Sequence, residues 1–126
     1  MSSSVKAVQS MFVRSEECEW EFSAVGVSKK VLRSDDETGE SALLIRFEPG
    51  STYPMHNHPG GEEILALEGE VRVGGHTLRP GDFLYTPPEG KHAVSSKKGA
   101  IVFLTLTKPI EILQGNRPDG PEEDGH

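Results

Sequence analysis

The sequence predicts an all-β protein, a sandwich or small barrel of roughly eight to ten short strands at close spacing. Three observations carry this prediction. The 126 residues include 14 Gly and 9 Pro, dispersed rather than periodic, which marks many tight turns and argues against collagen-like order. The apolar runs between these breakers are short and rich in β-branched and aromatic residues. No window of 11 or more residues keeps a helical period. Residues 11–22 come nearest, but Phe12, Trp20 and Phe22 do not fall on one stripe.

Taken in order, Val25–Leu32 is the first strand and the polar stretch SDDETGE, 34–40, is a loop. Ala42–Phe47 is strongly apolar and extended, and EPGSTYP, 48–54, breaks it. Ile64–Leu67 is a strand closed by Glu68-Gly69-Glu70. Val71–Val73 pairs with Thr77–Leu78 across Gly74-Gly75, a hairpin signal. Arg79-Pro80-Gly81-Asp82 places Pro and Gly in the order of a type II turn. Phe83–Thr86 is a strand stopped by Pro87-Pro88. Ala100–Thr107 is the longest β-rich run, with apolar residues on both faces, so it is central or covered by another layer. Together with Leu43–Phe47 this predicts either a homodimer interface or a covering N-terminal segment containing Phe12, Trp20 and Phe22.

The length is that of one domain. Residues 1–10 are Ser-rich and expected to be flexible, 11–113 form the folded barrel, and 114–126 have the composition of a disordered acidic tail. With 13 Lys+Arg against 20 Asp+Glu, the net charge is −7. That balance disfavours nucleic acid and anionic membranes as partners, because phosphate contacts need clustered cations. No apolar run is long enough to span a bilayer, and the N-terminus lacks the apolar stretch of a secretory signal. The single Cys18 cannot form an internal disulfide. A reducing, cytoplasmic setting is expected.

His56, His58, Glu62 and His92 stand out as a site. Two histidines two apart on an extended chain share a face. Pro59-Gly60-Gly61 can turn the chain back so that Glu62 lies beside them, and His92 follows the Pro87–Lys91 turn. Three neutral imidazoles and a carboxylate suit one borderline divalent transition metal, Fe, Zn, Mn or Ni, and leave coordination positions open. The remaining histidines, His76 and His126, read as turn and tail residues.

This joint spacing resembles the cupin family. Its first motif, G-x5-H-x-H-x3/4-E-x6-G, reads Gly50-STYPM-His56-Asn57-His58-PGG-Glu62-EILALE-Gly69. Its second, G-x5-P-x-G-x2-H-x3-N, reads Gly81-DFLYT-Pro87-PE-Gly90-Lys91-His92-AVS-Ser96, with Glu89 in the glycine position and Ser96 in the asparagine position. The resemblance implies a double-stranded β-helix, or jelly-roll barrel, with His56, His58, Glu62 and His92 as metal ligands. Glu62 is preferred to Glu63 because it keeps six residues before Gly69 and alternates with Ile64 and Ala66.

The sequence is closest to one branch. Thr38-Gly39-Glu40, Leu43–Phe47, Pro49-Gly50, the run His56–Leu65, Leu67-Glu68-Gly69, Pro87-Pro88 and His92-Ala93 resemble the zinc-binding cupin domain of ChrR-type anti-sigma factors. The sigma-binding helical domain of those factors has no counterpart in the sequence, which looks like the cupin half standing alone. Two functions follow from the resemblance. One is a metal-dependent dioxygenase acting on a small enolisable diketone or hydroxyketone held in the barrel. The other is a non-catalytic zinc-binding sensor. Alternation nominates Leu44, Met55, Ile64, Phe83, Tyr85, Val94 and Phe103 as pocket lining. Tyr53 and Tyr85 are the candidates to donate to a bound oxygen atom.

Overall fold

Short runs bounded by Gly and Pro form short strands, because each run can bury one face yet cannot continue past a residue that needs φ > 0 or lacks an N–H. The computed structural model describes residues 8–113. Most of the expected flexible N-terminus, 1–7, and the expected tail, 114–126, lie outside the described residues. After a single 3-10 turn at Ser15–Glu17, the strands are β1 Glu21–Ala24, β2 Val27–Ser34, β3 Ser41–Phe47, β4 Ser51–His58, β5 Glu62–Gly69 and β6 Val71–Val73. They continue with β7 His76–Leu78, β8 Phe83–Thr86, β9 Gly90–Ser96, β10 Ala100–Leu106 and β11 Glu111–Ile112.

The strands pair antiparallel in two sheets, ordered β1-β2-β3-β10-β5-β8 and β11-β4-β9-β6-β7. This is the architecture of a cupin jelly roll. The core lies between the sheets. Val27, Ile45, Phe47, Ile64, Val102 and Leu104 enter it from the first sheet, and Val71, Val73, Leu78 and Val94 from the second. In β10, Ala100, Val102, Leu104 and Leu106 are buried while the residues between them are half-buried. The strand is therefore central, between β3 and β5, and its outer face is partly covered. On that outer side Trp20 lies against Lys30 Nζ at 4.8 Å and Arg46 Cζ at 4.3 Å from the ring centre. Phe12 and Phe22 remain exposed, so Trp20 alone of the three expected aromatics covers the sheet.

Several elements differ from the sequence reading. The strand expected at 25–32 is β2, shifted to Val27–Ser34 because Gly26 at φ +76° turns the chain between β1 and β2. The break at 48–54 is confined to 48–50, and β4 starts at Ser51. β9 was hidden in the sequence because its buried residues include His92 and Ser96 rather than a row of aliphatics. The Arg79–Asp82 turn closes as expected, with Gly81 at φ +94° and Asp82 N donating to the Arg79 carbonyl at 2.8 Å. No helix among the described residues is long and apolar enough to cross a membrane.

Candidate metal centre

Two neighbouring strands carry the histidines. His56 and His92 are direct cross-strand partners in the β4–β9 ladder, and His58 lies opposite Gly90. The ladder shifts register between Tyr53 and His56. This bulge, at Pro54-Met55, turns both Tyr53 and His56 towards the interior although they are three apart. Pro54 suits that place because it has no N–H to give to the ladder.

Gly61 brings Glu62 back to the histidines. Its φ is +83°, and a Cβ there would lie 2.8 Å from the Thr86 carbonyl oxygen, so a side chain is excluded twice over. Gly61 N donates to the His58 carbonyl at 2.9 Å. From there β5 alternates Glu62, Ile64 and Ala66 inward, while Glu63 is exposed and accepts from Thr105 Oγ1 at 3.1 Å.

A second turn presents β9. Gly90 N donates to the Pro87 carbonyl at 2.9 Å, and Glu89, at φ 69°, is the one non-glycine residue with positive φ among the described residues. The backbone thus takes a glycine-like conformation at the position where the cupin motif has glycine. Buried Asn57 steadies this turn. Its Nδ2 donates at 2.9 Å to Glu89 Oε1 and at 2.9 Å to Glu111 Oε1, tying the turn and β11 to the histidine strand. Asn57 was not singled out in the sequence, since a polar residue between two histidines carries no spacing signal of its own.

The structure brings His56, His58, His92 and Glu62 together, all buried. One ligand nitrogen from each histidine lies within 4.8 Å of the others. Glu62 Oε1 is 3.2 Å from His58 Nε2 and 3.4 Å from His92 Nε2. The outer nitrogens are held by backbone carbonyls, with His56 Nδ1 2.7 Å from the Pro54 oxygen and His58 Nδ1 2.8 Å from the Gly90 oxygen. Those contacts favour the Nδ1–H tautomer and leave Nε2 as a lone-pair donor. His58 Nε2, His92 Nε2 and Glu62 Oε1 are buried and make no hydrogen bond of acceptable geometry. Buried polar atoms without partners are costly. Several converging on one point form a site that a metal ion fits.

The electrostatics of His56 and Glu62 agree with such a donor set, while His58 without a metal is drawn towards its protonated form by Glu62. Burial pushes His56 down to about 4, helped by the neighbouring His58 and His92 and opposed by the Pro54 carbonyl and Glu62. Burial also works against charged His58, but Glu62 and the Gly90 carbonyl outweigh it and hold its pKa above the ordinary value. Burial would raise Glu62, yet the two imidazoles beside it hold it at about 2. At neutral pH His56 is neutral and Glu62 a carboxylate.

The cluster opens on a cavity of about 390 Å³ between the sheets, with His56, Glu62 and Tyr53 in its wall. Most of the rest is aliphatic, including Leu43, Ile45, Val102 and Leu104. Tyr53 hydrogen-bonds Ser23, and burial together with the Glu62 charge keeps its hydroxyl protonated above the usual range.

Of the residues nominated as lining, Ile64 and Val94 face the cavity. Leu44 and Phe103 pair with each other on the outer side, because a run that is apolar on both faces hides its parity. Met55, displaced by the bulge, and Phe83 are exposed. Tyr85 is also on the outer surface, 56% exposed and opposite Glu63, which removes it as a donor to anything in the cavity. Lys29 and Ser23 line the cavity and were missed. Alternation with Val27 and Val31 could have found Lys29.

Residues 8–111 match the family described as the ChrR cupin-like domain. The acetylacetone-cleaving enzyme of Acinetobacter johnsonii is 24% identical over 102 residues, 75% of this chain and 67% of that one. The DNA damage-repair/toleration protein DRT102 of Arabidopsis thaliana is 33% identical over 86 residues, 64% of this chain, and the match spans 26% of that protein's length. An RmlC-like cupin from Shewanella frigidimarina superposes with a TM-score of 0.69 at 26% identity, covering 80% of this chain and 93% of that one. The Rhodobacter sphaeroides SigE complex with the anti-sigma ChrR superposes with a TM-score of 0.64 at 25% identity, covering 74% of this chain and 50% of the matched one.

Proposed function

The chain belongs to the ChrR cupin-like domain family, and from that premise we propose that it is a metal-dependent oxygenase of a small enolisable molecule, a diketone or hydroxyketone. The observation that carries this is the convergence, beside a mainly apolar cavity, of three buried atoms (His58 Nε2, His92 Nε2 and Glu62 Oε1) that make no hydrogen bond of acceptable geometry. Likeness to an acetylacetone-cleaving enzyme supports the substrate class.

His56, His58, His92 and Glu62 would hold one divalent transition metal. When bound, such an ion supplies Lewis acidity towards a carbonyl or enolate oxygen and, where it is redox-active, electrons for dioxygen chemistry. The chain's own residues do the rest. The Pro54 and Gly90 carbonyls fix the rings of His56 and His58. Tyr53, kept protonated by burial and the Glu62 charge against the opposing Ser23 hydrogen bond, offers a hydroxyl proton to a substrate oxygen. The aliphatic wall excludes water and lowers the local dielectric, which strengthens each polar contact inside.

The test is dioxygen uptake by Fe²⁺-loaded protein given acetylacetone. Uptake above the free-metal rate, abolished in His92→Ala, is expected. No uptake with any diketone or hydroxyketone would contradict an oxygenase. The second reading, a non-catalytic zinc-binding sensor, is favoured by the likeness to ChrR. It would be supported by tight Zn²⁺ with no turnover.

A further inference from the structure

The cavity wall contains a cation that the metal centre does not use. On β2 the residues Val27, Lys29 and Val31 alternate on the inner face. Lys29 sits opposite the core residue Ile45 and lines the cavity together with His56 and Glu62. Its neighbour Lys30 points to the other side of the sheet. There it lies against Trp20, and its Nζ donates to the Ser15 carbonyl at 2.6 Å. Lys30 is therefore accounted for by packing and a hydrogen bond. Lys29 has no hydrogen bond or ion pair among the described residues. Even Glu21, its cross-strand partner on β1, forms none with it.

Lys29 is a half-buried residue in a mainly aliphatic lining, where a cation gains from an anionic partner. Where alternation would place a third valine, the chain places an unpartnered charge. Among the residues that line the cavity Lys29 is the one Lys or Arg, and it stands on β2 opposite Ile45. One ammonium matches one carboxylate, whereas a phosphate dianion would call for more donors than this wall offers.

We propose that Lys29 is a specificity-determining residue, and that the substrate is a small keto or enol compound bearing a carboxylate, its ketonic oxygens at the histidine–Glu62 end and its carboxylate paired with Lys29. This rests on the metal-centre reading for the placement of the ketonic end. A neutral diketone would fill the cavity and leave Lys29 without a partner.

Two probes that differ by one carboxylate remote from the diketone test this: 4,6-dioxoheptanoate and heptane-2,4-dione. Binding is measured by calorimetry on the full chain loaded with Zn²⁺, with metal content determined on the same samples. The wild type is expected to bind dioxoheptanoate about tenfold more tightly than the dione, the size of one charge-assisted contact. In Lys29→Met that preference, read as the ratio of the two affinities, falls to about twofold or less while the protein still holds Zn²⁺, and Lys29→Arg keeps most of it. Equal wild-type affinities, failure to bind dioxoheptanoate, or a preference that survives Lys29→Met would overturn the proposal. Failure of the metal reading shows separately, as a chain that holds no Zn²⁺. Lys29 is still judged in that case by the ratio of the two probes in wild type and Lys29→Met.

Discussion

On its inner face the six-stranded sheet presents mainly aliphatic side chains, with Lys29 and Glu62 as the charged residues that line the cavity. The five-stranded sheet presents three imidazoles from β4 and β9, followed by the aliphatics of β6 and β9. Register shifts occur in both sheets, but in different places. In the six-stranded sheet they fall in the β1–β2, β2–β3 and β5–β10 ladders, while the central β3–β10 pairing runs from Phe47↔Ala100 to Ser41↔Leu106 without one. In the five-stranded sheet the shift falls between Tyr53 and His56, beside the histidine cluster. One sheet supplies most of the aliphatic wall, and the other places its irregularity where the histidines converge. Bulges next to sites are a recurring way to re-aim side chains.

The largest effect expected from this division is on the wall. Phe47→Ala, at a site 6% exposed, should cost about 3–5 kcal/mol in a denaturant titration while leaving metal stoichiometry in the folded fraction unchanged. Loss of metal from folded protein would show that the two sheets are not separable in this way.

A second effect belongs to the histidine sheet and depends on pH. The folded-state pKa of His56 is depressed from 6.5 to about 4, so its contribution to metal-free stability is complete above pH 6.5 and is lost as the pH falls towards 4. Glu62, held at about 2 against 4.5, acts in the same sense at lower pH, with stability lost as the pH falls from 4.5 towards 2. His58, whose pKa is raised, acts oppositely: its contribution is present below pH 6.5 and fades as the pH rises past its folded value. The urea midpoint of metal-free protein should therefore fall between pH 7 and pH 4, by an amount corresponding to at most about 3 kcal/mol. A midpoint that is flat across this range would refute the assignment of a neutral, buried His56.

The smallest effect sharpens the account of the turn before His92. Glu89→Ala keeps the positive φ and loses the Asn57 hydrogen bond, so it should destabilise by about 1 kcal/mol. Glu89→Gly loses the same bond but relieves about 1 kcal/mol of left-handed strain, leaving stability close to wild type. Equal losses in the two variants, measured by thermal melts, would mean that the backbone conformation is not what the position requires.

The fold was legible where residue pattern and backbone agree. The strongly apolar run 42–47, the Gly74-Gly75 hairpin and the Arg79–Asp82 turn each state their element locally. The histidine cluster was legible through spacing, since a two-residue interval on a strand and a glycine-rich reversal leave few alternatives. What could not be read was set by tertiary context. The bulge at Pro54-Met55 changes which residues of β4 face inward, and nothing local marks it as a register slip. Leu44 and Phe103 were assigned to the wrong side because both faces of their strands are apolar. Tyr85 followed from alternation on a strand whose outward face is aromatic. Lys29 was overlooked because a Lys-Lys pair reads as surface, although its two members occupy opposite faces.

The most direct measurement is elemental analysis of the purified protein beside its His56→Ala and His92→Ala variants. One divalent transition metal per chain is expected in the wild type and essentially none in either variant, with all three proteins folded. A wild-type protein free of metal, or variants that retain it, would contradict the convergence of His56, His58, His92 and Glu62 as a metal centre.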